Sequence, residues 1–257
     1  MLRFRIIPCI LLSGQKVVKT TKFVKPVYIG DPINTVRIFS DKGADEIVIL
    51  DIDATKKGQQ PNYELIRRLS SEALMPLAYG GGIKDIDTVK KILSLGVEKV
   101  IINSGALSEP GLIEKISDKF GRSTLVVSID IGKDIANNRY VYDHVSGKKV
   151  KKDPLAWIRE VQKLGVGELF INCVYKDGTM AGYDFDFFSK VGECASVPVV
   201  ACGGCGSIED IRRIKGIKGI RAAAGGSFFV FNGLRKSVLL SYPTEEILNE
   251  INSVEVR

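Results

Sequence analysis

Eight β-rich runs recur along this chain with amphipathic helical stretches between them, the pattern of a parallel sheet with crossover helices. The runs are Arg5–Leu11, Glu46–Ile52, Pro76–Gly80, Lys99–Asn103, Leu125–Asp130, Glu168–Cys173, Pro198–Cys202 and Ile220–Ala224. Eight strands and eight connections close a (β/α)8 TIM barrel, and the ~250 residues typical of that α/β fold match the 257 of this chain. Helix starts are marked between the runs. Asp31-Pro32 and Asp153-Pro154 each set a capping Asp before a proline suited to the first helical position, and Ser207 precedes IEDIRRI. No linker or break in composition divides the chain, so residues 1–257 read as a single domain.

Sliding the sequence against itself by 122 residues reveals an internal repeat. Gly43–Glu46 aligns with Gly165–Glu168, Pro76 with Pro198, Gly81-Gly82 with Gly203-Gly204, and Asn103-Ser104-Gly105 with Gly225-Gly226-Ser227. One offset serves four successive elements, which predicts a barrel built from two similar half-barrels.

The composition, 45 % apolar and 26 % charged, is that of a globular protein. No apolar run approaches the ~18 residues of a membrane span, and the opening MLRFRIIPCILL lacks both the apolar length and the small-residue cleavage site of a leader. A cytoplasmic protein without membrane contact is expected. The five cysteines (Cys9, Cys173, Cys194, Cys202, Cys205) are odd in number and sit mostly in apolar, strand-like surroundings, which suits reduced thiols. Basic residues exceed acidic ones by 37 to 30, which favours an anionic partner. Nucleic acid is not the expected one, because no recognisable module is present and the aromatics are not interleaved with the basic residues. Lys16, Lys19, Lys22 and Lys25 instead share the segment after the first strand, where a phosphorylated small molecule is the simpler ligand.

In a barrel of this kind the loops after the strands form the active face. Gly80-Gly81-Gly82 follows the third strand, Asn103-Ser104-Gly105 the fourth, Gly203-Gly204 the seventh and Gly225-Gly226-Ser227 the eighth, with Gly178 in the turn after the sixth. Glycines let backbone N–H groups approach an anion, and a helix starting just beyond adds its positive end. The repeat therefore predicts two phosphate sites on opposite sides of the mouth, one near Gly82 and Ser104 and one near Gly204 and Gly226, with Lys19 adding charge from a flexible loop.

The motifs RIIPC at Arg5–Cys9, VVK at Val17–Lys19, GDP at Gly30–Pro32, DE at Asp45-Glu46, GGGI at Gly80–Ile83, KV at Lys99-Val100, DGT at Asp177–Thr179 and GYD at Gly182–Asp184 cover nearly the whole chain. In them the sequence resembles the HisF family, the cyclase subunits of imidazole glycerol phosphate synthase. The resemblance implies a mouth that binds a substrate with a phosphate at each end. It also implies a HisH-like glutaminase docked on the opposite face as a heterodimer partner and supplying ammonia. Arg5, Glu46, Lys99 and Glu168 match the charged ring that gates ammonia in that family. All four lie at strand beginnings, where two cations and two anions can satisfy one another. No cofactor and no metal are expected.

The departures from the family are as informative. The two catalytic aspartates that the resemblance implies lie at the ends of the first and fifth strands. Asp130 is the second, but Leu11 stands where the first belongs. Leucine can neither donate nor accept a proton, and losing one general acid or base costs ~100- to 10,000-fold. Asp51, Asp53 and Asp177 lie at strand ends as possible helpers, with Asp177 preferred as second carboxylate. The segments Lys19–Phe39 and Ser227–Pro243 resemble a HisF-like branch associated with surface-polysaccharide loci, in which ammonia reaches a separate sugar amidotransferase. Amidination of such a sugar is thus the leading expectation. Authentic imidazole glycerol phosphate synthesis with an altered acid/base set, and a non-catalytic scaffold that binds a phosphorylated metabolite, are the alternatives. Cys202 and Cys205 lack a second CxxC, so metal or redox use is not expected. His144, the sole histidine, is expected exposed in the loop after the fifth strand; Trp157, Phe185, Phe187 and Phe188 are expected in packing.

Overall fold

All eight expected strands form and they close on one another. In the computed structural model β1 (Arg5–Ser13), β2 (Ile47–Asp51), β3 (Leu77–Gly80), β4 (Lys99–Ile102), β5 (Leu125–Lys133), β6 (Glu168–Cys173), β7 (Val199–Cys202) and β8 (Ile220–Gly225) pair in parallel in chain order. β8 returns to β1, with Ala222 opposite Arg5 and Gly225 opposite Pro8. The structure describes residues 3–233 and 235–253; Met1, Leu2, Leu234 and residues 254–257 of the expected 1–257 domain lie outside the described residues. No helix among the described residues is long and apolar enough to cross a membrane.

Two apolar layers follow from the period-two geometry of strands. One face of each strand points into the barrel, where Ile7, Cys9, Leu11, Val48, Ala78, Ile101, Val126, Phe170, Val200, Ala222 and Ala224 form a closed inner cluster. The other face, including Ile6, Ile10, Ile49, Val127, Leu169 and Ala223, packs against the helix layer. Trp157, Phe187 and Phe188 belong to that outer cluster, and Phe185 packs against it.

The repeat is carried by the backbone. Helices Pro32–Asp41, Tyr63–Glu72 and Ile86–Leu93 recur as Pro154–Lys163, Phe185–Cys194 and Ile208–Lys215, each 122 residues on. The expected caps are in place: Asp31 accepts from the Asn34 amide at 2.9 Å, Asp153 from Ala156 at 2.8 Å and Ser207 from Asp210 at 3.1 Å.

β1 and β5 run past their expected ends because each folds back as a hairpin over the mouth. Leu11 pairs with Val18 of strand Lys16–Thr21, and Ile131 with Val141 of strand Arg139–Asp143. The segment holding Lys19 is therefore not the flexible loop expected. It is a strand, paired on its other side with Val24–Gly30, and a two-residue turn at Lys22-Phe23 with positive φ joins the two. The run Lys16–Thr21 sets two valines side by side and lacks the alternation of a strand, so it did not disclose this pairing.

Trp157 is 1 % exposed between its helix and the barrel. Trp157→Ala should lower unfolding free energy by about 3–5 kcal/mol, measured by urea denaturation followed by circular dichroism.

Candidate active site

The two ends of the barrel axis differ chemically. At the floor, Arg5 opens β1, Glu46 precedes β2, and Lys99 and Glu168 open β4 and β6. Arg5 bonds both Glu46 and Glu168 through separate guanidinium nitrogens. Lys99 bonds the same two carboxylates, at 3.1 Å to Glu46 and 2.9 Å to Glu168. The four side chains thus form a closed ring of alternating charge. Burial alone would raise the pKa of Glu168, but the charges of Arg5 and Lys99 outweigh it and hold the carboxyl below its usual range. For Arg5 burial acts to lower the pKa, and Glu168 and Glu46 overcome it.

At the mouth lies a cavity open to solvent on one side. It is lined by Gly81, Gly82, Asn103 and Ser104 on one side and by Lys19, Asp177 and Gly226 on the other, with Leu11 and Asp130 between them. Five buried side-chain polar atoms among the described residues lack a hydrogen-bond partner: Thr20 Oγ1, Asn103 Oδ1, Ser104 Oγ, His144 Nδ1 and Asn172 Oδ1. All five residues line this cavity. Buried polar groups are ordinarily satisfied, so these atoms offer hydrogen bonds to whatever polar molecule occupies the cavity.

Asp130 is held from below by Asn103, whose amide donates to Oδ2 at 2.8 Å. Leu11 is buried in the inner cluster at the β1 position of the mouth. Asp177, expected as second carboxylate, has both oxygens on Lys19, at 2.9 and 3.0 Å, in a pair shielded from solvent. Its proton-accepting capacity is therefore committed to an ion pair. Asp51 accepts from the Asp53 and Ala54 amides, each at 3.0 Å, yet burial raises its pKa overall. Asp53 lies outside the cavity lining on Ser13 and Lys57, and those contacts override burial to hold it low.

The glycine corners are geometrically related but differently filled. Gly81 (φ +127°) and Gly203 (φ +92°) each press on the end of the preceding strand; a Cβ would lie 2.5 Å from the Asp51 carbonyl oxygen in one case and 2.6 Å from that of Cys173 in the other. Gly82, Ser104 and Asn103 open onto the cavity. Gly178, Gly203, Gly204, Gly225 and Ser227 lie outside its lining, and at Gly226 the Lys19 side chain lies across the backbone, where a Cβ would meet Lys19 Cε at 2.8 Å.

Sequence reasoning missed Thr20, Ser128, Asn172 and His144 as lining residues. Asn172 and Ser128 were within reach, since they share strand parity with Glu168 and Asp130. His144 is not the exposed loop residue expected: the hairpin after β5 carries it over the mouth, its Nδ1 3.5 Å from Asp130 Oδ2. Cys202 lies in the inner cluster and Cys205 in the outer one, so the two do not share a face.

Comparison with known proteins places this geometry. The family described as histidine biosynthesis protein matches residues 5–235. A Pseudomonas aeruginosa protein named "Putative imidazole glycerol phosphate synthase subunit hisF2" is 44 % identical over 100 % of both chains. A Leptospira borgpetersenii protein named "Putative imidazole glycerol phosphate synthase subunit HisF" is 46 % identical over 95 % of this chain and 96 % of its own. The imidazole glycerol phosphate synthase subunit HisF of Streptococcus mutans is 37 % identical over 79 % of this chain and 81 % of its own.

The floor ring yields a pH-dependent outcome. Because the folded pKa of Glu168 is depressed, its contribution to stability is present above about 4.5, the unfolded value, and is lost as pH falls through the folded one. Urea denaturation between pH 7 and pH 3 should show wild type losing more stability than Glu168→Gln, whose own deficit at pH 7 should be about 3 kcal/mol. Parallel curves for the two proteins would contradict this.

Proposed function

Because this chain belongs to the HisF family of histidine biosynthesis proteins, we propose that it is a HisF-type subunit that takes ammonia from a HisH-like glutaminase docked on the barrel floor. It uses or delivers that ammonia at the mouth, for amidination of a surface-polysaccharide sugar rather than for imidazole ring closure. One contrast carries the reading. The ion-pair ring is complete at the floor, while at the mouth Asp130 shares its cavity with Leu11 in the place of a second carboxylate. The inner cluster between them is apolar, so it suits neutral ammonia, whereas an ammonium ion would bear a heavy desolvation cost.

The bound ligand on this reading is a phosphorylated small molecule, with one phosphate at the open Gly82 and Ser104 corner. The second corner, near Gly204 and Gly226, can hold another only if Lys19 turns its ammonium from Asp177 toward it. A sugar amidotransferase is the further partner that would receive ammonia or its adduct.

Supplied with ammonium and the two-phosphate ribulosyl precursor of imidazole ring closure, the wild type should show traces of turnover. Leu11→Asp should raise the rate by ~100-fold or more, followed as release of the imidazole product. Efficient wild-type turnover would promote ring closure as the native activity. With the glutaminase partner added to the Leu11→Asp protein, Lys99→Ala should lower product per glutamine hydrolysed by at least ~10-fold, taking the loss of its ion pairs with Glu46 and Glu168 as the cause. It should leave turnover on added ammonium within about threefold; an equal fall in both routes would make the ring a structural element alone.

A further inference from the structure

The sole histidine of this chain has no role in the scheme above, and its placement is specific. His144 follows the strand Arg139–Asp143 of the hairpin that extends β5. Its Nδ1 is buried and lacks a hydrogen-bond partner, and the nearest acidic oxygen is Asp130 Oδ2 at 3.5 Å. That oxygen is already positioned by Asn103. The separation exceeds a formed hydrogen bond by about half an ångström, a distance that catalytic pairs commonly show before a ligand tightens them.

We propose that His144 and Asp130 are the proton-transfer pair of this barrel, replacing the opposed carboxylates that Leu11 excludes. Asp130 accepts the Nδ1–H of His144, which fixes the tautomer and leaves Nε2 as the basic nitrogen facing a ligand in the cavity. The inference rests on the reading of the mouth as a site of ammonia chemistry. There, the lone pair of ammonia forms a C–N bond to a carbonyl carbon of the phosphorylated ligand as the C=O π bond opens. Nε2 takes one proton from the nitrogen and returns it to the alkoxide oxygen, so the ring ends as it began.

The surroundings leave Asp130 as the carboxylate available to Nδ1. Asp143, next in sequence, is taken by the amides of Val145 at 3.0 Å and Ser146 at 3.2 Å and by the Ser146 hydroxyl at 2.6 Å. Across the cavity, Asp177 is paired with Lys19, and Asp51 caps its own turn. Lys56, the remaining charged group of the lining, repels rather than binds an imidazolium.

A single histidine makes the test direct, because every imidazole signal of the full chain comes from His144. Nitrogen NMR of histidine-labelled protein at pH 8, without substrate or partner, should find the proton on Nδ1. Asp130→Ala should return it to Nε2, the form free imidazole favours. The residual turnover with ammonium and the two-phosphate precursor is then measured with Leu11 in place, so that no opposed carboxylate can substitute for the pair. There, His144→Gln should lower kcat by at least ~10-fold with KM within about twofold, and abolish the acid-side fall of kcat that protonation of an imidazole imposes. A wild-type ring protonated on Nε2, or an unchanged kcat and pH profile in His144→Gln, would overturn the proposal. The NMR result needs neither glutaminase nor acceptor, so it stands or falls apart from the amidination reading.

Discussion

Charges inside a barrel floor are tolerated only when each finds its opposite, because withdrawing an ion from water costs several kcal/mol. Here each cation bonds both carboxylates and each carboxylate both cations, through residues that begin β1, β4 and β6 or precede β2. The ring therefore ties four strands at one level and sets their register. Strand geometry then dictates what lies above it. Counting by twos, Arg5 is followed inward by Ile7, Cys9 and Leu11, Lys99 by Ile101 and Asn103, and Glu168 by Phe170 and Asn172. A slip of one residue in β1 would bring Ile10 and Leu12 inside and send Leu11 to the helix layer. The chemistry of the mouth depends on a contact at the other end of the molecule.

Between floor and mouth the axis crosses side chains that offer no hydrogen bonds, among them Val48, Val126, Phe170, Val200 and Ala222. Such a layer discriminates by charge rather than by shape. A neutral molecule of the size of ammonia loses little on entering, while an ion loses its hydration with nothing in return. The same layer keeps the ring and the polar groups of the mouth apart in space. This separation of polar ends is what gives the proposed transfer a direction.

Much of the frame was legible in the sequence because it is local. Strand alternation and the Asp-Pro caps depend on neighbours within a few positions and the 122-residue offset on direct comparison of the two halves; all eight strands formed, β1 and β5 running past their expected ends, and the helices began at the expected caps. The floor charges were legible too, since their position at strand beginnings sends them to one end. What escaped depends on contacts distant in sequence. Nothing near Lys19 announces Asp177, and nothing near His144 announces Asp130; both pairings arise because a hairpin folds back over the mouth. Lys19 read as a mobile phosphate ligand, and Asp177 as a spare carboxylate, for the same reason.

Those two hairpins also explain how a symmetric frame acquires an asymmetric site. The glycine turns after β3 and β7 keep positive φ and the same close approach to the neighbouring strand, so the halves offer equivalent corners in backbone terms. The hairpin after β1 then lays Lys19 over Gly226 and neutralises it with Asp177, closing one corner, while the hairpin after β5 brings His144 to Asp130 and leaves the Gly82 and Ser104 corner open. On the function proposed above, a ligand with one phosphate is thereby oriented, its phosphate at the open corner and its other end toward Asp130. On the same reading a ligand with two must break the Lys19–Asp177 pair to seat the second, so the free energy of that buried pair would separate the two ligand classes.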